Sequence, residues 1–217
     1  MNTVKNENGH GMVYILWIMV MSIVIFVIVV NIGKVYAVKQ QAATATQQAA
    51  LAGTSVLVEA TVKGVEAFDR SEVEEVEKQR KADDGKSVSE LIDEEAEKNR
   101  QRGEAKDIAY IHALNDVLPS RITDYESLKM SISRHINGAI DHFKQVVREV
   151  IEDNGGNIER STVTFSLDYR VEVQADATYE AITDHAENYM PKMSKEIPQK
   201  GSGPSLRYLQ GIVGGFD

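Results

Sequence analysis

An uninterrupted apolar run from Met12 to Ile32 limits this chain more than any other feature. Those 21 residues carry no charge, and only Ser22 and Asn31 fall outside the apolar set. As a helix rising about 1.5 Å per residue the run extends roughly 31 Å, the thickness of a bilayer's hydrocarbon core. A lone segment in lipid can satisfy its backbone only as a helix, which overrides the preference of Ile15, Ile18, Val20, Ile23, Val24 and Ile25 for strands. Tyr14 and Trp17 lie near one end and Tyr36 near the other, where amphipathic rings favour the headgroup region. A cleavable signal peptide is the competing reading, because Val35-Tyr36-Ala37 resembles a cleavage site. A signal core has about 7 to 15 apolar residues, so the longer run fits a retained anchor better. Lys5 on one side and Lys34 and Lys39 on the other leave orientation open by charge.

The remainder reads as water-facing. Of 217 residues, 24 are Lys or Arg and 33 are Asp or Glu, giving a net charge of −9 with no cysteine. That balance excludes a disulfide scaffold and a basic nucleic-acid-coating protein, and no nucleic-acid partner is expected. The length suits one modest core.

No proline or turn cluster separates the apolar run from the Ala- and Gln-rich stretch after it, so one helix is expected to continue outward. Val38, Ala42, Ala45, Ala49, Ala52 and Val56 recur at spacings of four and three, forming a seam of small residues on one helix face. Such a seam packs against a neighbouring helix of another subunit or covers the chain's own domain. Residues 69–106 hold 13 acidic and 9 basic side chains. They read as two short solvated helices around Asp83-Asp84-Gly85, with capping boxes at Ser71–Glu74 and Ser87–Glu90, or as a partly disordered linker.

Beyond the linker, Ile108, Ile111, Leu114 and Leu118 mark a helix expected to end at Pro119. A longer one follows a capping box at Thr123–Glu126, its stripe running from Leu128 to Val150 and stopping at Asn154-Gly155-Gly156. Val163 to Val173 then alternate with period two, as one long strand or as a hairpin turning near Ser166 to Asp168. Strand partners are expected within residues 177–182 and 205–213 or on another protomer, with Lys200 to Pro204 as a flexible turn.

The stretch up to residue 53 resembles TadE/TadG-like proteins of the tight-adherence (Tad or Flp) pilus assembly system. The residues that carry the resemblance are Glu7-Asn8-Gly9 before the span, then Gly33-Lys34-Val35-Tyr36, Lys39, and Ala45 through Ala49-Ala50-Leu51-Ala52. The resemblance implies a minor-pilin-like or pseudopilin-like component with a cytoplasmic N terminus, an external remainder, and other pilus or secretion subunits as hetero- or homo-oligomeric partners. It also implies membrane-interface roles for Gly33, Lys34 and Tyr36, beside the Tyr14 and Trp17 rings read above, and makes Gly9 and Gly11 candidate processing positions. Asn31 and Gln47 stand where aspartates are common. Tyr14 and Leu16 occupy the positions five residues after Gly9 and Gly11, where a pilin carries glutamate.

The expected fold class is α+β: a single transmembrane helix continuing into a long Ala-rich helix with a small pilin-like head. The expected divisions are a tail (1–11), the span (12–32), an Ala-rich helix (33–66), a charged linker (67–106) and an external head (107–217). No enzyme chemistry, metal or cofactor is expected. His135 and His142 are seven apart, whereas a zinc helix places two histidines four apart. Glu72, Glu74, Glu75 and Glu77 alternate with basic residues rather than converging. Ser161, Ser166 and Ser202 sit in no nucleophile elbow. A bitopic sensor or adaptor relaying external binding to a membrane partner is the alternative function.

Overall fold

The computed structural model describes residues 8–179 and 195–212. Helix α1 (Asn8–Asp69) is unbroken for 62 residues, carrying the apolar run directly into the head. Its apolar part has a mean hydropathy of 3.1, has no buried residue in its most apolar stretch among the described residues, and is long enough to cross a membrane. The head completes an α+β architecture with α2 (Glu74–Ala82), α3 (Val88–Gln101), α4 (Lys106–Asp124), α5 (Glu126–Asp153), and strands β1 (Asn157–Phe165), β2 (Arg170–Tyr179) and β3 (Lys195–Ser205).

The outer half of α1 is the spine of the core. From Ala42 to Phe68 its buried residues spread over a broad arc, wide enough to serve two neighbours. Helix α5 lies antiparallel along one side, because Gly64 abuts Ile132 while Gly53 abuts Phe143 and Val147. A Cβ on Gly64 would lie 2.6 Å from the Ile132 Cα, so glycine sets how closely the two helix backbones approach. The antiparallel sheet β1-β2-β3 covers the other side through β2 and β3. Val171, Val173 and Ala175 of β2 are fully buried, as the period-two pattern requires.

The alternating segment is a hairpin. Strand β1 pairs with β2 from Thr162–Gln174 to Phe165–Val171, with the turn at residues 166–169. The second partner of β2 differs from the expected ranges. It is β3, paired from Tyr179–Lys195 to Arg170–Ser205, so Lys200 to Pro204 belongs to a strand and not a flexible turn. Residues 177–179 extend β2 itself, while 180–182 and 213 lie outside the described residues. Gly201 and Gly203 suit this strand because β3 presses onto α1, where side chains have no room.

Helix termini show where local signals succeed. Ser87 forms the expected capping box with Glu90. Those bonds hold the Glu90 carboxyl below its usual range, so their contribution is present at neutral pH and disappears as acidification protonates Glu90. The Val88 and Ser89 N–H groups donate to the Asp69 carboxylate at 3.1 and 2.9 Å, tying the end of α1 to the start of α3. Asp69→Ala is therefore expected to cost about 2 kcal/mol, read as a shifted denaturant midpoint. At the end of α5, Gly155 takes φ +73°, and the Gly155 and Gly156 amides return to the Glu152 and Ile151 carbonyls, a Schellman stop at the expected place.

Other boundaries differ from the local signals. Ser71 donates back to the Phe68 carbonyl, leaving Val73 at the start of α2 without a side-chain cap. Tyr125 starts α5, also without a side-chain cap, and Glu75 from α2 accepts the Ser127 N–H at 2.8 Å. Pro119 does not end α4. The helix continues to Asp124 because Leu118 and Ile122, on either side of the proline, are both buried. Burying two such side chains, at about 1.5–3 kcal/mol each, offsets a proline penalty of about 3 kcal/mol.

Candidate functional site

Two surfaces stand out: the bare apolar half of α1 and a groove on the head. Along α1, Tyr14, Trp17 and Tyr36 are exposed, as is Lys34, and the space around Gly11 and Gly33 is open. Gly9 lies in the first turn of α1. The bare stretch offers an apolar cylinder with aromatic residues toward both ends, a surface whose only comfortable solvents are lipid tails and other apolar helices.

The seam residues have cover within the same chain. Ala42, Ala45, Ala49 and Val56 are buried, and Val38 and Ala52 are partly buried. Small side chains are what this packing needs, since the ideal Cβ of Gly201 would fall on the Thr46 and Gln47 backbone. Thr46, Thr54 and Thr61 on the same helix are buried, and each hydroxyl returns to a carbonyl four residues back. Thr61 also shares a 3.1 Å hydrogen bond with the buried Tyr208 hydroxyl. Burial pushes that phenol far up, so it stays protonated.

Gln47 has a role that sequence reading missed. Its Nε2–H donates to the Ser202 carbonyl at 2.9 Å, while the Ser202 N–H approaches its Oε1 at 3.4 Å. One side-chain amide thus pairs with edge strand β3 in the manner of a neighbouring strand. An aspartate could only accept. Gln47→Glu is accordingly expected to cost about 1 kcal/mol, read as a lower denaturant midpoint at pH 7, with most of the loss recovered when acid protonates the new carboxyl.

The groove has a volume of 790 Å³ and opens between α1, α3 and the start of α4. Leu51, Val58, Ile108, Tyr110, Ile111 and Pro204 form its apolar lining. Burial, with help from Asp93 and Glu66, pushes the Tyr110 hydroxyl up to about 12, so it remains a neutral donor at physiological pH.

The residues weighed for chemistry are dispersed among structural tasks. The His135 ring bonds to the Ser131 carbonyl at 2.8 Å, and His142 borders a shallow depression beside Glu59 and Lys63. Lys63 first, and His142 weakly, hold the Glu59 carboxyl below its usual range. Glu74 and Glu77 pair with Lys78 and Lys81 along α2, leaving Glu75 to cap α5. Ser161 donates to the Ile158 carbonyl, and the Ser166 hydroxyl accepts the Arg170 N–H within the hairpin turn. No group of three His, Cys, Asp or Glu side chains converges as a metal site among the described residues.

An apolar helix that continues as the spine of a small head makes an α+β architecture with one helix long and apolar enough to cross a membrane. Residues 11–60 match the Tad family, described as Flp pilus-assembly TadE/G-like. The segment from the apolar run into the buried part of α1 is thus similar to TadE/G-like Flp pilus-assembly proteins, which supports a pilus-related component, and the chain carries one helix long and apolar enough to cross a membrane. No curated protein and no solved structure matches the chain.

Proposed function

We propose that this chain is a noncatalytic, single-pass component of a Tad/Flp-type pilus or related secretion machine, acting through helix packing and external protein contacts. The observation that carries the reading is the position of the family match, which covers the apolar run and continues into the part of α1 on which the head is built. In this reading Met12 to Ile32 crosses the inner or cytoplasmic membrane with the N terminus in the cytoplasm. Tyr14, Trp17 and Tyr36 sit at the interfaces, and Gly33 and Lys34 mark the exit of the helix. The head stands outside the membrane and meets other pilus subunits.

Because Ala42, Ala45, Ala49 and Val56 already have cover in the head, lateral contacts with other subunits fall on the apolar run, with Val38 and Ala52 at its margin. Lipid and neighbouring helices share that surface. Deleting the gene in its host tests the reading. The expected result is loss of assembled surface filaments, restored by the full chain. Unchanged filament number and length in the deletion strain contradicts it.

A further inference from the structure

The glycines of α1 differ in what surrounds them. Gly53 and Gly64 lie against α5, where an added Cβ would fall 2.7 Å from a Phe143 ring carbon and 2.6 Å from the Ile132 Cα. Packing uses their missing side chains. Gly33, just past the apolar run, has nothing within 4 Å of its ideal Cβ, so no contact in the chain requires glycine there. Relative to alanine, a glycine inside a helix favours the open chain by about fivefold.

The residues after Gly33 add to this local weakness. From 33 to 40 the chain is exposed apart from the half-buried Val38. Cover by the head starts at the Gln41–Asn154 hydrogen bond of 3.0 Å and at Ala42, which is 1% exposed. Val35, Tyr36 and Val38 are weak helix formers, in contrast to the alanines and glutamines that follow. About 12 Å of helix therefore stands between two supports, the bilayer on one side and the head on the other, with little beyond its own backbone hydrogen bonds to hold it.

We infer that residues 33–40 form a hinge, at which α1 opens and re-forms so that the head tilts on its anchor. The bending falls on residues that neither support covers, so the span and the head both keep their structure as it occurs. The lever is long. The 36 residues from Gly33 to Asp69 rise about 54 Å, so a kink of about 20° carries the far end of α1 through roughly 19 Å. The head can thus meet partners at several tilts while Met12 to Ile32 stays in the bilayer.

This hinge rests on the reading of the apolar run as a membrane anchor and on no pilus partner. Hydrogen exchange with mass spectrometry on the full chain in phosphatidylethanolamine–phosphatidylglycerol vesicles tests it. Amides 34–40 are expected to exchange roughly a hundredfold faster than those of residues 20–30 or 44–60. Gly33→Ala is expected to slow them about fivefold while both flanks stay unchanged. Tilting is read separately. The chain contains no cysteine, so spin labels can be placed at Ile23→Cys and Gln48→Cys alone. Their distance distribution is expected to be broader than that of a Gln48→Cys and Lys63→Cys pair, and to narrow when Gly33→Ala is added. Amides 34–40 as protected as both flanks, or a span-to-head distance as narrow as the control pair, overturns the hinge and leaves the anchor intact. Indifference of both measurements to Gly33→Ala overturns it too. Free exchange at residues 20–30 overturns the anchor reading and the hinge with it.

Discussion

Gly201→Val is expected to destabilise the head by about 3 kcal/mol, at the upper end of what overpacking usually costs. The first added atom would fall on the Thr46 carbonyl and the Gln47 amide, which are helix backbone and cannot swing aside as a side chain can. Strand β3 would then have to lift from α1, loosening the Gln47–Ser202 pairing and the cover over Ala45 and Ala49. Denaturant unfolding of the full chain in detergent, followed by circular dichroism, measures the effect. Gly138→Ala is the contrast. That glycine lies within α5 with nothing near its ideal Cβ, so alanine is expected to stabilise by up to about 1 kcal/mol. Equal effects from the two substitutions would mean that β3 does not ride on α1 as closely as described.

The second large effect concerns the apolar half of α1. Arginine at the centre of a spanning helix costs about 2.5–3.5 kcal/mol, so replacing Val20, Ile23 and Val24 together costs roughly 9 kcal/mol. That is comparable to the whole driving force of a 21-residue run whose apolar residues contribute about 0.3–0.6 kcal/mol each. The triple variant is expected to leave the membrane fraction almost completely, as read by carbonate extraction and immunoblotting. All three side chains are exposed and lie outside the buried stretch of α1 that starts at Ala42, so the unfolding midpoint of the head should stay where it is. Retention of the variant in carbonate-washed membranes would show that something other than this helix anchors the chain.

Much of this fold was legible wherever a local period was long and unambiguous. The apolar run and the Leu128 to Val150 stripe were plain in the sequence, as was the alternation from Val163 to Val173. Their structures are α1, α5 and the β1–β2 hairpin. The legible caps were those whose partners are close in sequence, at Ser87–Glu90 and Gly155-Gly156. Signals failed where a distant group supplied what local chemistry would otherwise provide. Glu75 caps α5 from 52 positions away, so the Thr123–Glu126 spacing was irrelevant. The burial of Leu118 and Ile122 carried α4 through Pro119.

Strand β3 was hidden for a related reason. Gly-Ser-Gly-Pro is ordinary turn chemistry, and only the pressure of α1 makes its lack of side chains an advantage in a strand. The glycines themselves were the available signal, since glycine within a strand often marks the close approach of another backbone. The groove had no such signal, because Leu51, Ile108 and Pro204 come from three distant segments and carry no joint pattern along the chain.

The most direct measurement of the assembly role is affinity purification of the full chain from its native membranes, with mass spectrometry of everything that accompanies it. Pilin-like subunits or a secretion ATPase are expected in the eluate of the full chain, and are expected to be absent from that of the Val20, Ile23 and Val24 arginine variant. A full chain that returns only a sensor kinase or a receptor would contradict the pilus role and identify an adaptor instead.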